Sequence, residues 1–408
     1  MLCRPIATIP PVSRDRPAAA PPVPTPAQVL TAEGSWPEPR AHPRGQWRLA
    51  VALGAVMTFI AVLLFLIIGE EVGVGGVLIG LGFAVIPILP ALAIVLWIDR
   101  YEPEPTGLVL YCLAWGATVA ALISVVLNSA SLLLIEARGD AGIDVSAVFV
   151  APWVEEGAKG AALLLILLRL RREFDGIVDG IVFAGLVGLG FAFIENILYF
   201  GRAYVESLDG SGPGGALAAT SIVFIVRGIA APFAHPLFTA ATGIGLGIAV
   251  TTSRRWLRVA APLAGYLIAV LLHALWNGAA VSGLGGFVLA YFLIMVPVFA
   301  ALVVLALWAR RREGRIVAEN LPAYAAAGWL TPAEANALAS LSARRYAELW
   351  ARRHRGSPGR TAVRRFQHTA TELAFLRERM KRGTVGVDAG GTERELLATL
   401  AANRADLA

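Results

Sequence analysis

Eight apolar blocks, roughly 47–69, 76–98, 107–135, 146–168, 177–200, 219–250, 258–281 and 286–308, follow one another along this chain. Each reaches the about 20 residues that a helix needs to cross a bilayer, and none alternates as a barrel strand does. With 57% of all residues hydrophobic, one fold class remains: all-α, a polytopic membrane helix bundle of about eight transmembrane helices.

Arginine placement sets the expected orientation, because basic loops stay on the cytoplasmic side. Arg44 and Arg48 precede the first block, and Arg100 follows the second. Arg169, Arg171 and Arg172 follow the fourth, Arg254, Arg255 and Arg258 the sixth, and Arg310 to Arg312 the eighth. The opposite loops hold Arg138 and Arg202. Eight crossings with both termini cytoplasmic put every basic cluster on one side.

The chain then divides into three parts. Residues 1–46 form a Pro/Ala-rich N-terminal tail ("RPAAAPPVPTP") expected to be disordered, 47–309 the transmembrane domain, and 310–408 a cytosolic, basic, helical tail. In that tail "LTPAEANALASLSARRYAELWARRHR" reads as one amphipathic helix, with Thr331 as N-cap and Pro332 in the first turn. Gly-rich breaks are expected near 356–359 and 383–391. Cys3 and Cys112 lie far apart and suggest neither a disulfide framework nor a zinc knuckle.

Within the spans stand Glu155, Glu156, Lys159, Glu195, Asn196, Arg227, His235, His273 and Asn277. A charge at the bilayer centre costs roughly 2.5–3.5 kcal/mol, so the set must face a shared interior. Small residues offer the means: Ala184, Gly188, Ala192 and Asn196 repeat every four residues, as do Gly265, Ala269, His273 and Asn277. His235 lies between Pro232 and Pro236, which should kink its helix. Helical rise puts Glu155, Glu195 and His273 about 8–16 Å from the non-cytoplasmic ends of their helices.

Each residue has a plain structural role open to it. Glu155 and Lys159 make an ordinary i,i+4 ion pair, Asn196 and Asn277 are interhelical glue, Arg227 neutralises a glutamate, and Asp175 and Asp179 cap a helix or face solvent. Taken together these roles fail, since one pairing leaves two glutamates beside two neutral histidines. Adjacent carboxylates at low dielectric make one a general base while Lys159 holds the other ionised. A base with a bound water and His or Asn donors is equipped to hydrolyse an amide. Glu155, Glu195, His235 and His273 can equally hold zinc with an open position, and the spacing does not choose, as no HExxH is present.

The motifs resemble a known family. "PWVEEGAKG" is similar to the EExxK motif, "FAFIEN" to the FxxxE motif and "HALWN" to the HxxxN motif of the PrsW family of intramembrane proteases, distantly similar to the CAAX-prenyl endopeptidases and bacterial CPBP proteins. "DRYEPEP", "DGIVDGIVFAGLVGLGFAFIEN" and "AHPLFTAATGIGLG" resemble further blocks of that family, in order, over about 76–308. The resemblance implies that 47–309 is a protease domain in a bacterial cytoplasmic membrane that cuts a membrane-anchored protein, such as an anti-sigma factor, on its outer side. It implies Glu155 as general base with Glu156 as partner. Glu195, His235 and His273 would position water or metal, and Asn277 would stabilise the oxyanion, with Lys159, Asn196 and Arg227 in support. The expected cofactor is zinc or none, and the expected partners are the bilayer and the substrate, with no nucleic acid. Against this stand a proton-coupled transporter, which would need inverted repeats that are not evident, and a non-catalytic membrane scaffold.

Overall fold

A computed structural model describes residues 21–30, 46–137, 142–171, 173–385 and 388–407. Every regular element among them is helical. A short α1 (Pro26–Val29) precedes α2 (Gln46–Ile98), α3 (Thr106–Trp115), α4 (Ala121–Glu136), α5 (Gly142–Val145), α6 (Ala151–Arg169) and α7 (Ile177–Phe224). Then come α8 (Ala234–Thr251), α9 (Leu257–Val281), α10 (Gly283–Ala290), α11 (Val296–Ala326), α12 (Pro332–Leu338), α13 (Leu341–Arg382) and α14 (Ala389–Ala405). π-Helical turns at Gly116–Ala120, Ser146–Val150 and Tyr291–Met295 join three pairs of neighbours, and one at Ile225–Ala230 extends α7.

Five of the described helical runs are long and apolar enough to cross a membrane: Ala50–Ile98, Thr106–Glu136, Ile177–Thr251, Leu257–Val281 and Gly283–Ala326. The fold is therefore an all-α, multi-pass membrane bundle. Two of those runs hold 49 and 75 residues, more than one crossing uses, and both are broken at a glycine in the left-handed region. Gly73 (φ 65) divides α2, and Gly212 (φ 64), followed by Pro213, divides α7. The block carrying Glu155, Glu156 and Lys159 falls outside the five because those charges lower its apolarity.

The chain separates into two compact units. The larger is built from residues 46–315 together with Ala339–Tyr346. At its centre is the first half of α7: 89% of the most apolar window of that run is buried, against 17% for α2 and 6% for Gly283–Ala326. The peripheral helices instead present Phe59, Leu66, Leu133, Leu284 and Leu293 outward, as a lipid-facing surface requires.

Glycines let the helices close on α7. A Cβ on Gly116 would overlap the Val187 carbonyl, and one on Gly190 the Leu113 carbonyl, so the α3 run meets α7 backbone to backbone. Gly188 does the same for the functional helices. A Cβ there would stand 2.7 Å from the Pro236 nitrogen, closer than backbone atoms tolerate. Gly188→Ala is therefore expected to push His235 away from α7 and destabilise the unit by about 1–3 kcal/mol, the usual range for overpacking. Thermal unfolding in detergent checks this, and an unchanged midpoint would contradict it.

At the arginine-bearing end, Asp99 accepts the Glu104 amide (2.8 Å), and Asp179 accepts the Asp175 and Gly176 amides (2.7 and 2.8 Å) ahead of α7. Asp179 is thus the helix cap expected of it. Burial, with Asp179 nearby, pushes the Glu104 carboxyl up to about 12, so it holds its proton at neutral pH.

The smaller unit comprises Ile316–Leu338, the residues from Ala347 onward and the described part of the N-terminal tail. The Thr331 hydroxyl receives the Glu334 amide (3.1 Å) while the Glu334 carboxylate receives the Thr331 amide (2.7 Å), a reciprocal cap for α12. The one amphipathic helix expected here is two, because the chain leaves the helix at Ala339 and Ser340 between α12 and α13. The expected glycine breaks fall at Gly356 (φ 69) and Gly383 (φ 64). Inside the unit the Tyr324 hydroxyl donates to Glu393 (2.7 Å), which Arg377 approaches at 3.6 Å. Of the tail expected to be disordered, residues 1–20 and 31–45 lie outside the described residues. Within 21–30, α1 packs on α14, and Trp329 Nε1 donates to the Pro24 carbonyl (2.6 Å).

Candidate active site

Four helices of the larger unit bring the intramembrane polar residues to one place. α6 opens with Pro152 and carries Glu155, Glu156 and Lys159 on the face turned inward. α7 supplies Glu195 and Asn196, and the π-helical turn that extends it supplies Arg227. The expected kink at the prolines is a full break: the chain leaves the helix at Ala231 (φ −133, ψ 41) and resumes at Ala234. Pro232 lies in the break and Pro236 in the first turn of α8, where a missing amide costs nothing. His235 is thereby set at the head of a helix, and α9 brings His273 opposite it with ring centroids 5.2 Å apart.

The two adjacent glutamates are treated unequally. Glu156 is fully buried and saturated: Oε1 receives Lys159 Nζ (2.8 Å) and His273 Nδ1 (3.0 Å), and Oε2 receives the Thr239 hydroxyl (2.9 Å). The expected Glu155–Lys159 pair is the looser one, at 3.5 Å, because the ammonium turns to Glu156. Glu155, 6% exposed, accepts the Asn128 amide on Oε1 (3.2 Å), while its Oε2 has no hydrogen-bond partner. That oxygen lies 3.7 Å from His273 Nε2.

The carboxylate contacts assign a proton to one nitrogen of each ring. Glu156 accepts a hydrogen bond from His273 Nδ1–H, and in the neutral ring Nε2 then carries the lone pair and faces Glu155 Oε2. Two acceptors 3.7 Å apart face the same space and can both bind one small donor that approaches from beside them. On the other side, Glu195 Oε2 receives Arg227 Nη2 (2.6 Å) and His235 Nε2 (2.5 Å). His235 Nδ1 is then an acceptor, and Lys159 Nζ meets it at 2.9 Å, with the ammonium also 3.9 Å above the Phe191 ring. Arg227 Nε donates to Asn196 (2.9 Å), and its guanidinium covers Tyr199. One hydrogen-bonded chain thus runs from Arg227 through Glu195, His235, Lys159 and Glu156 to His273.

The Asn277 amide donates to the Ala147 carbonyl (2.8 Å) and ties α9 to the π-helical turn before α6. Asn128 on α4 and Thr239 on α8 are site residues that the sequence reading missed. Each carried a signal, since Thr239 is one turn from His235, and Asn128 lies between Ser124 and Ser131 at helical spacing.

Donor atoms of Glu155, His235 and His273 all lie within 4.8 Å of one another, close enough for one ion, and a Glu with two His is a known zinc set. In this arrangement the third ligand is engaged. Both His235 nitrogens are used, by Lys159 and Glu195, and a dication would stand against the Lys159 ammonium. The residues do not fit zinc while Lys159 holds this position.

The sequence model of a family described as PrsW family intramembrane metalloprotease matches residues 104–302. A protein named Protease PrsW from Oceanobacillus iheyensis is 30% identical over 227 residues, 55% of this chain and 93% of the relative. Proteins of the same name from Clostridioides difficile and Geobacillus kaustophilus are 31% and 27% identical over 115 and 183 residues. These are 28% and 44% of this chain, and 48% and 69% of the relatives. No solved structure matches the chain.

Proposed function

The chain belongs to the PrsW family of intramembrane proteases, and from that premise we propose that it hydrolyses its substrate with a water activated by Glu155. The water bridges Glu155 Oε2 and His273 Nε2 from the side that both atoms face. Glu155 takes its proton, the oxygen attacks the scissile carbonyl carbon, and the C–N bond breaks as Glu155 passes the proton to the leaving nitrogen. His273 aims the water and is itself aimed by Glu156, whose charge Lys159 compensates. Glu195, Arg227 and Asn196 hold His235. Asn277, one turn beyond His273, keeps one amide hydrogen after its bond to Ala147 and is the donor we assign to the oxyanion.

The observation that carries this reading is the buried Glu155 Oε2, which holds no hydrogen bond, beside a neighbour both of whose oxygens accept one. Only one of the two carboxylates is available for chemistry. The substrate we propose is a single-pass or lipid-anchored protein, anti-sigma-factor-like, cut near the outer leaflet of a bacterial cytoplasmic membrane. Eight crossings with both termini cytoplasmic would put Glu155 at that depth, with residues 310–408 as a cytosolic tail. Family membership favours hydrolysis over the transporter and scaffold readings. The test compares new protein N-termini in membranes of cells making the native and Glu155→Gln forms. A membrane-anchored protein cut in the native sample alone supports the reading, and identical profiles with equal protein levels reject it.

A zinc enzyme would need Lys159 to withdraw from His235. Lys159→Met is therefore expected to gain zinc affinity, read as a zinc-dependent rise in unfolding midpoint that the native protein lacks. An equal rise in both forms would show that Lys159 does not block the ion.

A further inference from the structure

Hydrolysis inside a membrane needs water at Glu155, and α4 packs against α6 beside that residue. Its outward face is apolar: Val126, Leu127, Leu133 and Leu134 are 53, 48, 67 and 63% exposed. Its inward face carries Ser124, Asn128 and Ser131, at i, i+4 and i+7, on one line. Opposite them are Glu155 on α6 and Ser146 in the π-helical turn before it. Asn128 Nδ2 donates to Glu155 Oε1 (3.2 Å), and the Ser131 and Ser146 hydroxyls meet at 2.9 Å.

Three side-chain atoms along this line are buried and have no hydrogen-bond partner: Ser124 Oγ, Asn128 Oδ1 and Glu155 Oε2. Buried polar atoms are satisfied in more than nine cases in ten, by protein or by ordered water, so three in one seam mark it as wet. The two acceptors, Asn128 Oδ1 and Glu155 Oε2, belong to groups already joined through Asn128 Nδ2 and Glu155 Oε1. A water donating to both would be held beside the base.

Resting on the hydrolytic reading above, we infer that the Ser124–Asn128–Ser131 face of α4 is the route by which water reaches Glu155. It opens at the Glu136 end of α4, away from the basic loops, and Asn128 is the positioning residue beside the base, with Ser124 one turn further in. The π-helical turns Gly116–Ala120 and Ser146–Val150 flank the seam, and such turns widen the local backbone and recur at functional sites.

Single cysteines test this in a Cys3→Ser, Cys112→Ala background of the full-length protein in membranes. Ser124→Cys, Asn128→Cys and Ser131→Cys are exposed to a charged, membrane-impermeant thiol reagent from each side, with Leu127→Cys and Leu134→Cys as lipid-facing controls. A thiol reacts as thiolate, which forms in water and not in lipid, so the three seam positions are expected to label at least about tenfold faster than the controls, from the non-cytoplasmic side. Seam cysteines that label no faster than the controls, or that label only from the cytoplasmic side, overturn the route. Ser124→Cys and Ser131→Cys differ from native by one atom and keep the test sound if Asn128→Cys misfolds. In a cleavage assay Asn128→Leu is expected to lower kcat about 10- to 100-fold with KM unchanged, partly rescued in Asn128→Ser. A raised KM with unchanged kcat would remove Asn128 from that role. Labelling does not depend on turnover, so cleavage that survives Glu155→Gln while the seam labels rejects the hydrolytic reading and leaves the route standing.

Discussion

Glu155→Gln is expected to abolish cleavage, by at least about a thousandfold in kcat, while the protein folds and inserts as the native form does. General-base catalysis supplies about 10²–10⁴ of rate, and an amide can neither take the proton from water nor return it to the leaving nitrogen. Stability should survive because Glu155 contributes little to it. Its contacts are one hydrogen bond from Asn128 and two loose approaches, 3.5 Å from Lys159 and 3.7 Å from His273. Glutamine keeps the Asn128 bond through its carbonyl and fills the same volume. The measurement is cleavage of a substrate reconstituted with purified protein in vesicles, alongside the unfolding midpoint of both forms. Residual activity within tenfold of native would remove Glu155 from the role of base.

Glu156, the next residue, is expected to behave in the opposite way. Glu156→Leu strips Lys159, His273 and Thr239 of their shared acceptor and leaves an ammonium with 0% exposure without its closest counter-charge. Breaking a buried pair from one side costs about 3–5 kcal/mol, since the desolvated charge remains. The variant should unfold at markedly lower temperature and be degraded in cells. Adding Lys159→Met removes the stranded charge and should restore a large part of the loss, so the double variant is more stable than the sum of the singles. Both effects are read from unfolding in detergent. If Glu156→Leu matches the native midpoint and loses only activity, the division of labour between the two glutamates is wrong.

Helix content, the run of apolar blocks and the positions of their breaks were legible because each is local. Length against bilayer thickness, glycine and proline at turns, and a Thr–Glu cap need no knowledge of neighbours. The polar set was also legible, since charge in an apolar span demands company. Family membership was legible for the same reason, as its motifs are short and lie within single helices.

The partners were not. Sequence spacing favoured Glu155 for Lys159, yet the ammonium turned to Glu156, where His273 and Thr239 from two other helices already converge. Asn277 carries a tie that spacing did not announce, since its amide donates to the Ala147 carbonyl in a π-helical turn. Asn128 was passed over because a lone amide in an apolar helix has no meaning until a carboxylate stands 3.2 Å away. Periodicity determined by itself which residues must leave the lipid and which faces they occupy. Which carboxylate is left bare was decided only when four helices met, because hydrogen-bond satisfaction depends on distances of a few tenths of an ångström between residues more than eighty positions apart.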